Sequence, residues 1–455
     1  ERREIEQALF QGKLLGVTAT TALELGVDIG ALDATVLVGY PGTVASTWQQ
    51  AGRSGRGVRD SISFLIGLDN PLDQYFMRHP EHLFGSSPEN ALLDADNTYV
   101  LRGHLACAAY EMPLSNEDMD VFGSRFAEAV RGLVESGQLR PRGARWYYPS
   151  RDYPAERVSI RAASSETYLL VDESEGSNLL EEIDSATAFR RIHPGAVYLH
   201  QGECFVVSEL DLRRRVARAR PVEADYYTQP REISELSVVR CWREEQVGRA
   251  QACYGEVEVT EQVIGYRRKQ LFSDSVLGEE DLDLPPRSFE TTALWFDVPP
   301  VARERVNREE LDFQGGLHAV EHAAIGILPL FAMCDRQDIG GLSTPHHADT
   351  GKAQIFIYDG FPGGVGITEK GFELLPELWE ATLRTIAECP CEAGCPSCIH
   401  SPKCGNNNEP LDKAAAVVIL RALLGAESRA NAPADGAACV GRTPHRPSGE
   451  LIRSR

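Results

Sequence analysis

No run of 18 or more apolar residues occurs anywhere in the sequence, and its opening residues, E-R-R-E-I-E-Q-A-L-F, lack the apolar stretch of a secretory leader. The expectation is a cytoplasmic protein with no membrane partner. Positive charge is also scarce, because 46 Lys and Arg face 67 Asp and Glu and leave a formal net charge of -21. That balance excludes a nonspecific whole-surface DNA binder, since duplex affinity depends on neutralising phosphates, but it leaves room for a local basic channel. Arg213, Arg214, Arg215, Arg218 and Arg220 form the densest basic run, and Arg142, Arg145, Arg151, Arg157 and Arg161 a looser one. Either run reads equally well as a solvated face. Two nucleotide-handling motifs are missing as well: there is no G-x-x-x-x-G-K-[ST] loop and no D-E-x-H-type acidic tetrad after a strand. The chain shows no internal repeat.

What is present is an ordinary globular composition, 455 residues and 42% apolar, enough for about three domains. At the start, Arg3 to Gln11 reads as an amphipathic helix, Leu14 to Thr18 as a short strand, Thr20 to Leu25 as a helix, and Val36 to Tyr40 and Ile62 to Leu68 as further strands. Short apolar strands alternating with helices imply a parallel α/β sheet whose ligands gather beyond the strand ends. After Asn70-Pro71 come helical patterns at Asp73 to Met77, Asn97 to Ala109 and Asp118 to Ser136, then Trp146-Tyr147-Tyr148, a succession that suggests a winged helix. Trp146 or a neighbouring aromatic is either a base-stacking platform or a plain hydrophobic hairpin residue.

From Val158 to Tyr266 strands dominate, with a hairpin at Gly195 to Val207 turning on Gln201-Gly202 and later runs at Leu236 to Trp242 and Gly255 to Tyr266. The acidic, Pro-containing stretch Gly278 to Arg287 reads as a boundary or exposed loop. A strand at Thr291 to Phe296, a helix at Leu317 to Cys334, a strand at Gln354 to Tyr358 and a last helix at Leu411 to Leu423 follow. Gly360 to Gly366, G-F-P-G-G-V-G, lacks the lysine and hydroxyl that would grip phosphates and reads as a tight, buried turn. The final thirty residues read as a weakly ordered tail.

Two segments carry the chemistry of a nucleotide-reading site: T-A-T-T-A-L-E-L-G-V-D-I-G at Thr18 to Gly30, and Q-Q-A-G-R-S-G-R at Gln49 to Arg56. Phosphoryl transfer needs rigid positive groups on the γ-phosphate, and two guanidiniums three residues apart suit that task. The pair of segments resembles motifs V and VI of superfamily 2 helicases, in the second RecA-like domain. That resemblance makes Arg56 the candidate arginine finger, places Arg53 near the phosphates, and gives Gln49 the positioning of nucleotide or water. Gly26 and Asp28 would lie at the nucleotide, with Asp28 near the ribose or the motif VI arginines. Thr20 and Thr21, at a helix start, could hold a nucleic-acid phosphate. Plainer roles are structural salt bridges for the arginines, a turn cap for Asp28 and an N-cap for Thr20.

Five of the eleven cysteines, Cys389, Cys391, Cys395, Cys398 and Cys404, fall within sixteen residues. In a reducing compartment such a cluster indicates metal ligation rather than disulfides. Four thiolates close a tetrahedral structural Zn²⁺ site, with an iron–sulfur cluster as the alternative. The preferred four are Cys391, Cys395, Cys398 and Cys404, flanking turns at Gly394 and Pro402, with Cys389 able to replace Cys391 and His400 a weaker ligand.

T-T-A-L-W-F at Thr291 to Phe296, L-H-A-V-E-H-A at Leu317 to Ala323, D-I-G-G-L-S at Asp338 to Ser343, the Tyr358 to Gly366 segment and C-P-S-C-I-H-S-P-K-C-G-N at Cys395 to Asn406 together resemble one family. It is the bacterial mitomycin-repair-type DNA helicases, related to the fungal RecQ4-like helicases. The resemblance implies an ATP-dependent 3′-to-5′ DNA helicase of DNA repair, a monomer using ATP and Mg²⁺ and acting on single-stranded DNA or a single-strand/duplex junction. The implied fold is multidomain α/β plus α+β: a partial second RecA-like domain over 1–70, a winged helix over 71–155, a strand-rich domain over 156–288, a mixed zinc-binding C-terminal domain over 289–430, and a flexible tail over 431–455. The missing motifs would lie on a first RecA-like domain upstream, so the chain alone is expected to be inactive as an ATPase. The alternative is a non-enzymatic nucleic-acid-binding or protein-docking module. His318-Ala-Val-Glu321-His322 also matches the H-x-x-E-H spelling of inverted zinc peptidases, with Glu369 as an arbitrary third ligand, against a reading in which these groups make buried hydrogen bonds.

Overall fold

The computed structural model describes residues 2–25, 32–55, 60–85, 87, 92, 94–158, 167–174, 178–273 and 275–425. The chain opens with α1 (Arg2–Phe10), β1 (Ala34–Val38), α2 (Val44–Ala51) and β2 (Ile62–Ile66). The two strands pair in parallel from Ala34↔Ile62 to Val38↔Ile66, the expected α/β arrangement with a helical crossover. Thr43 starts α2 by accepting the Ser46 amide on its hydroxyl at 2.9 Å. The strand expected at Leu14 to Thr18 is not formed, because a strand exists through its ladder and this segment has no ladder partner among the described residues. The helix expected at Thr20 to Leu25 contracts to one 3₁₀ turn, Thr21–Leu23. Val38 is 68% exposed and Val36, Ile62, Phe64 and Ile66 are exposed too, an unusual state for parallel strands, which are ordinarily covered on both faces.

Helices α3 (Pro71–Arg78) and α4 (Glu81–Phe84) follow. Asn70 caps α3 through the Asp73 amide, and Pro71 occupies the first turn where no donor is needed. Buried Asp73 then accepts the amides of Leu68 at 2.8 Å and Tyr40 at 3.1 Å, fastening the exits of both strands to α3.

The winged helix consists of α5 (Thr98–Glu111), α6 (Met119–Phe122), α7 (Phe126–Glu135), β3 (Arg140–Arg142) and β4 (Arg145–Tyr147). The helix expected over Asp118 to Ser136 is broken at Gly123, whose φ of 83° is incompatible with continuing it. Leu105, Phe126 and Leu133 fill the core, and the Trp146 ring meets Phe126 edge-on at 6.1 Å, so Trp146 is a packing residue.

Strands β5 (Thr167–Asp172), β6 (Asn178–Asp184), β7 (Val197–His200), β8 (Glu203–Asp211) and β9 (Val216–Pro221), with α8 (Ser185–Arg191), form a five-stranded sheet ordered β6-β5-β9-β8-β7 around its own core. Its β7–β8 hairpin turns on Gln201 and Gly202, at φ 50° and 90°, as the sequence suggested.

The largest sheet contains β10 (Tyr226–Val247), β11 (Ala250–Gln270), β12 (Val276–Asp281), β13 (Arg287–Asp297), β14 (Ile339–Thr344) and β15 (Gln354–Asp359), in the order β10-β11-β13-β15-β14 with β12 also on β11. The two runs read separately at Leu236 and Gly255 thus belong to one hairpin of 22- and 21-residue strands. Of the expected boundary at Gly278 to Arg287, residues 278–281 belong to β12, paired from Gly265↔Asp281, and residues 282–286 are the loop that leads into β13. The sheet runs unbroken across position 288, so β10 to β12 share the C-terminal domain's sheet and not that of β5 to β9.

Helices α9 (Pro300–Arg308), α10 (Phe313–Ile327), α11 (Ile367–Glu373), α12 (Leu375–Ala387) and α13 (Lys413–Leu423) pack on that sheet. α10 stops at Ile327 rather than Cys334, because Pro329 follows in a 3₁₀ turn. Gly316 lets α10 approach α13 closely, since a Cβ there would stand 2.6 Å from that of Ala415.

The Gly360 to Gly366 turn is fixed by its own carboxylate. Fully buried Asp359 accepts the amides of Val365 (2.6 Å), Gly366 (3.1 Å), Ile367 (3.3 Å) and Thr368 (2.9 Å), filling the N-terminus of α11. Burial pushes this carboxyl up while the amides pull it down. Asp359→Ala would leave these donors without their acceptor and is predicted to cost about 3 kcal/mol or more, read as a lower urea midpoint. Asp359→Asn, which keeps one carbonyl oxygen, should lose less.

Candidate functional site

The candidate nucleotide-reading half-site is organised around Glu24. Its carboxylate accepts Ser46 Oγ at 2.7 Å and Gln50 Nε2 at 2.9 Å, and its backbone carbonyl accepts the Arg53 guanidinium. One residue of the Thr18 to Gly30 segment therefore clasps three positions of the α2 segment, bringing the two sequence motifs together beside the parallel strands. Gln49 lies on the exposed side of α2, and Thr20 and Thr21 are exposed at the 3₁₀ turn, where Thr20 makes no side-chain cap. Gly26, Asp28 and Arg56 lie outside the described residues. Gln50 and Glu24, missed in the sequence, are the residues that do the joining; the Q-Q doublet was the available signal.

Arg213 and Arg215 stand on the turn between β8 and β9. Arg213 and Arg214 donate their amides to Asp211, Arg214 also pairs with Asp211 at 3.8 Å, and Arg218 meets Glu209 at 3.6 Å. Acidic neighbours thus offset part of this basic run. Arg157 and Arg161, of the looser run, carry no described side chains.

The metal centre is built at the end of α12. The ligand atoms of Cys389, Cys391, Cys395 and Cys398 all lie within 4.8 Å of one another. Sulfur separations of 3.4 Å (Cys389–Cys395), 3.5 Å (Cys391–Cys398) and 3.7 Å (Cys395–Cys398) approach the ~3.8 Å edge of a tetrahedron with Zn–S near 2.3 Å. The donor set fits Zn²⁺ and makes this a structural zinc-binding cluster. Burial opposes ionisation at Cys389, but the Cys391 amide and adjacent thiols outweigh it and bring the group to about 7; burial pushes Cys398 well up. A divalent ion would supply the charge that ionises all four.

Lys413, at the start of α13, donates its ammonium to the carbonyls of Cys389 (2.7 Å) and Cys391 (2.5 Å) and reaches the Cys391 sulfur at 3.4 Å. It offsets the excess negative charge of a four-thiolate centre. Nothing in the sequence marked it, because the contact depends on how α13 packs.

Cys404, expected as the fourth ligand, is not in this quartet, and Cys389 takes the place. After Cys398 the chain is turned away by His322, whose Nδ1–H donates to the Ile399 carbonyl at 2.9 Å, and Cys404 comes to rest 3.6 Å from His318 Nε2. His318, His322 and Cys404 form a second group of ligand-type atoms within 4.8 Å of one another. Glu321 faces Gly341 and hydrogen-bonds at Ser343, away from a base's position, while Glu369 lies 3.8 Å from Arg243. The third ligand and base of the peptidase reading are therefore both directed elsewhere.

The half-site, winged helix and cysteine quartet each coincide with a family model: Helicase conserved C-terminal domain over 1–58, ATP-dependent helicase HRQ1, winged helix domain over 93–163, and MrfA Zn-binding domain over 320–399. The chain belongs to the superfamily 2 helicases related to bacterial MrfA and fungal HRQ1. It is 37% identical over 403 residues to the uncharacterized ATP-dependent helicase YprA of Bacillus subtilis, covering 88% of this chain and 53% of that protein. It is 31% identical over 449 residues to the ATP-dependent helicase HRQ1 of Saccharomyces cerevisiae, covering 93% and 41%. The crystal structure of the DUF1998 helicase MrfA bound to DNA superposes with a TM-score of 0.56 at 34% identity, over 93% of this chain and 56% of that one. MrfA bound to DNA and AMPPNP gives 0.54 at 33%, over 92% and 54%. The chain thus spans about half the length of these relatives. Among the described residues, no helix is long and apolar enough to cross a membrane.

Cys389→Ser is predicted to abolish the four-sulfur coordination, seen by X-ray absorption at the zinc edge, and to lower the melting temperature by several degrees. Lys413→Met should keep the ion but weaken its retention against a chelator by about tenfold, the scale of a lost outer partner.

Proposed function

We propose that this chain supplies the second motor lobe and the accessory domains of an ATP-dependent 3′-to-5′ DNA helicase working in DNA repair. The observation that carries the reading is the Glu24 clasp, which ties Glu24 of the first motif segment to Ser46, Gln50 and Arg53. ATP and Mg²⁺ would lie between this lobe and a first RecA-like domain, with Arg56 and Arg53 on the phosphates, Gln49 positioning nucleotide or water, and Gly26 and Asp28 at the nucleotide. The apolar, exposed faces of β1 and β2 suit a lobe built to be covered by further sheet or helix.

Thr20 and Thr21, exposed beside this site, would hold a backbone phosphate of the translocating strand. The winged helix and the Arg213–Arg215 turn would guide the junction, and the zinc held by Cys389, Cys391, Cys395 and Cys398 is structural. The working unit is a monomer in the cytoplasm. By itself the chain binds DNA without turning over ATP.

Arg56→Ala in a protein joined to its first RecA-like domain is predicted to lower DNA-stimulated ATP turnover by about 10³-fold, with nucleotide binding largely kept. Unchanged turnover would refute the motor reading and leave the non-enzymatic DNA-binding module. The double change Arg213→Ala with Arg215→Ala should weaken junction binding at all sequences alike and reduce the slope of log affinity against log salt by about two. An unchanged slope would show that this turn is only a solvated face.

A further inference from the structure

We infer that the protein holds a second divalent transition-metal ion, of the zinc class, on His318, His322 and Cys404. The group is separate from the cysteine quartet in both ligands and chain position. His318 and His322 lie one turn apart on α10, with ring centroids 4.2 Å from each other, and Cys404 reaches them from the loop before α13. The MrfA zinc-binding family model spans 320–399 and includes neither His318 nor Cys404.

Both imidazoles are oriented by backbone partners in the manner of metal ligands. His318 donates Nδ1–H to the Pro410 carbonyl at 2.9 Å, and His322 donates Nδ1–H to that of Ile399 at 2.9 Å. In the neutral ring each bond places the proton on Nδ1 and leaves Nε2 with its lone pair, the arrangement that outer partners impose on metal-bound histidines. The Cys404 sulfur accepts the Asn408 amide at 3.2 Å, which fixes its position beside the two rings.

The spacing is that of a shared ion. With Zn–N near 2.05 Å and Zn–S near 2.3 Å, tetrahedral geometry separates N from S by about 3.6 Å, and His318 Nε2 stands 3.6 Å from Cys404 Sγ. His322 and Cys404 are 6% and 7% exposed, so two of the three donors are held in a largely dry setting, with His318 half-buried beside them. Binding would release the proton shared between Cys404 and His318, giving a two-nitrogen, one-thiolate site with a fourth position for a water molecule.

Its role is to fasten the loop from Ser401 to Asp412, which has no helix or strand, onto α10. The loop already carries left-handed Asn407 and Asn408, at φ 56° and 64°, and three protein–metal bonds would hold it in register with α13.

The test is metal stoichiometry with coordination spectroscopy on the purified protein. Two zinc equivalents are expected, falling to one in Cys404→Ser and in His322→Gln, with the remaining zinc in an all-sulfur shell. Cys389→Ser should also keep one zinc, in a nitrogen-and-sulfur shell. X-ray absorption on the unmutated protein covers the case in which a variant does not fold, because five sulfurs and two imidazole nitrogens over two ions differ from a pure four-sulfur shell. One equivalent in a pure sulfur shell, or two equivalents untouched by a folded Cys404→Ser variant, would overturn the second site.

Discussion

The C-terminal domain depends on α10 being buried all round. From Phe313 to Ile327 only Gln314 and His318 escape full burial. A helix in that position cannot be amphipathic in the ordinary way, and it is instead hydrophobic and small, with Gly315, Gly316, Ala319, Ala323, Ala324 and Gly326 admitting neighbours at close range. α13 fits against Gly316, and Pro71 at the head of α3 fits against Gly326. The few polar groups α10 carries, His318, Glu321 and His322, are therefore forced to find partners inside the protein. They do so on three different neighbours: Pro410 and Cys404, Ser343, and Ile399. The same burial constraint thus explains the core, the path of the chain after Cys398 and the clustering of metal-type side chains.

A second constraint is that the domains are joined by single polar residues used twice. Asn97 accepts the Tyr99 and Val100 amides to start α5, and its amide nitrogen donates to the carbonyls of Pro362 (3.0 Å) and Gly364 (2.5 Å) in the glycine-rich turn. The first helix of the winged helix is therefore seated directly on the turn that Asp359 organises from beneath. Arg190 of α8 works similarly, meeting Glu232 of β10 at 2.7 Å and Glu261 of β11 at 2.9 Å, and so ties the five-stranded sheet to the long hairpin. Each junction is small, but each uses a half-buried or buried polar group whose loss leaves others unsatisfied, which makes it stiffer than its area suggests.

The sequence made the parallel strands, the winged helix, the β7–β8 hairpin and the metal-binding character of the cysteines legible, because each follows from local periodicity, turn chemistry or ligand spacing. What it concealed was set by distant contacts. The Cys389-x-Cys391-x₃-Cys395-x₂-Cys398 run was visible, yet choosing Cys389 over Cys404 requires knowing that His322 captures Ile399. The Leu14 to Thr18 segment has strand composition, but composition cannot supply a neighbour. Likewise Gly278 to Arg287 looks like a boundary because it is acidic and contains proline, yet its first four residues pair with β11, where Arg267 and Arg268 meet Glu279 and Glu280. Local sequence reads elements well and reads their partners poorly.

The position of the zinc quartet relative to the α/β lobe of residues 1–70 follows from the same logic. Its loop touches the lobe's exit through Ser397 and Asp69 at 3.4 Å, and the end of α12 does so through Glu388 and His79 at 2.8 Å. α3, lying between these contacts, carries Asp73, which holds the exits of β1 and β2. A displacement of those strand ends would therefore be passed through α3 to a loop that a closed four-sulfur site cannot let deform without losing a ligand. Coupling through such an element is mechanical: a rigid metal loop on one side and a short capped helix on the other leave the intervening chain little freedom to absorb motion. The cysteines then matter less for any chemistry of their own than as a rigid anchor for the contacts at the two ends of α3.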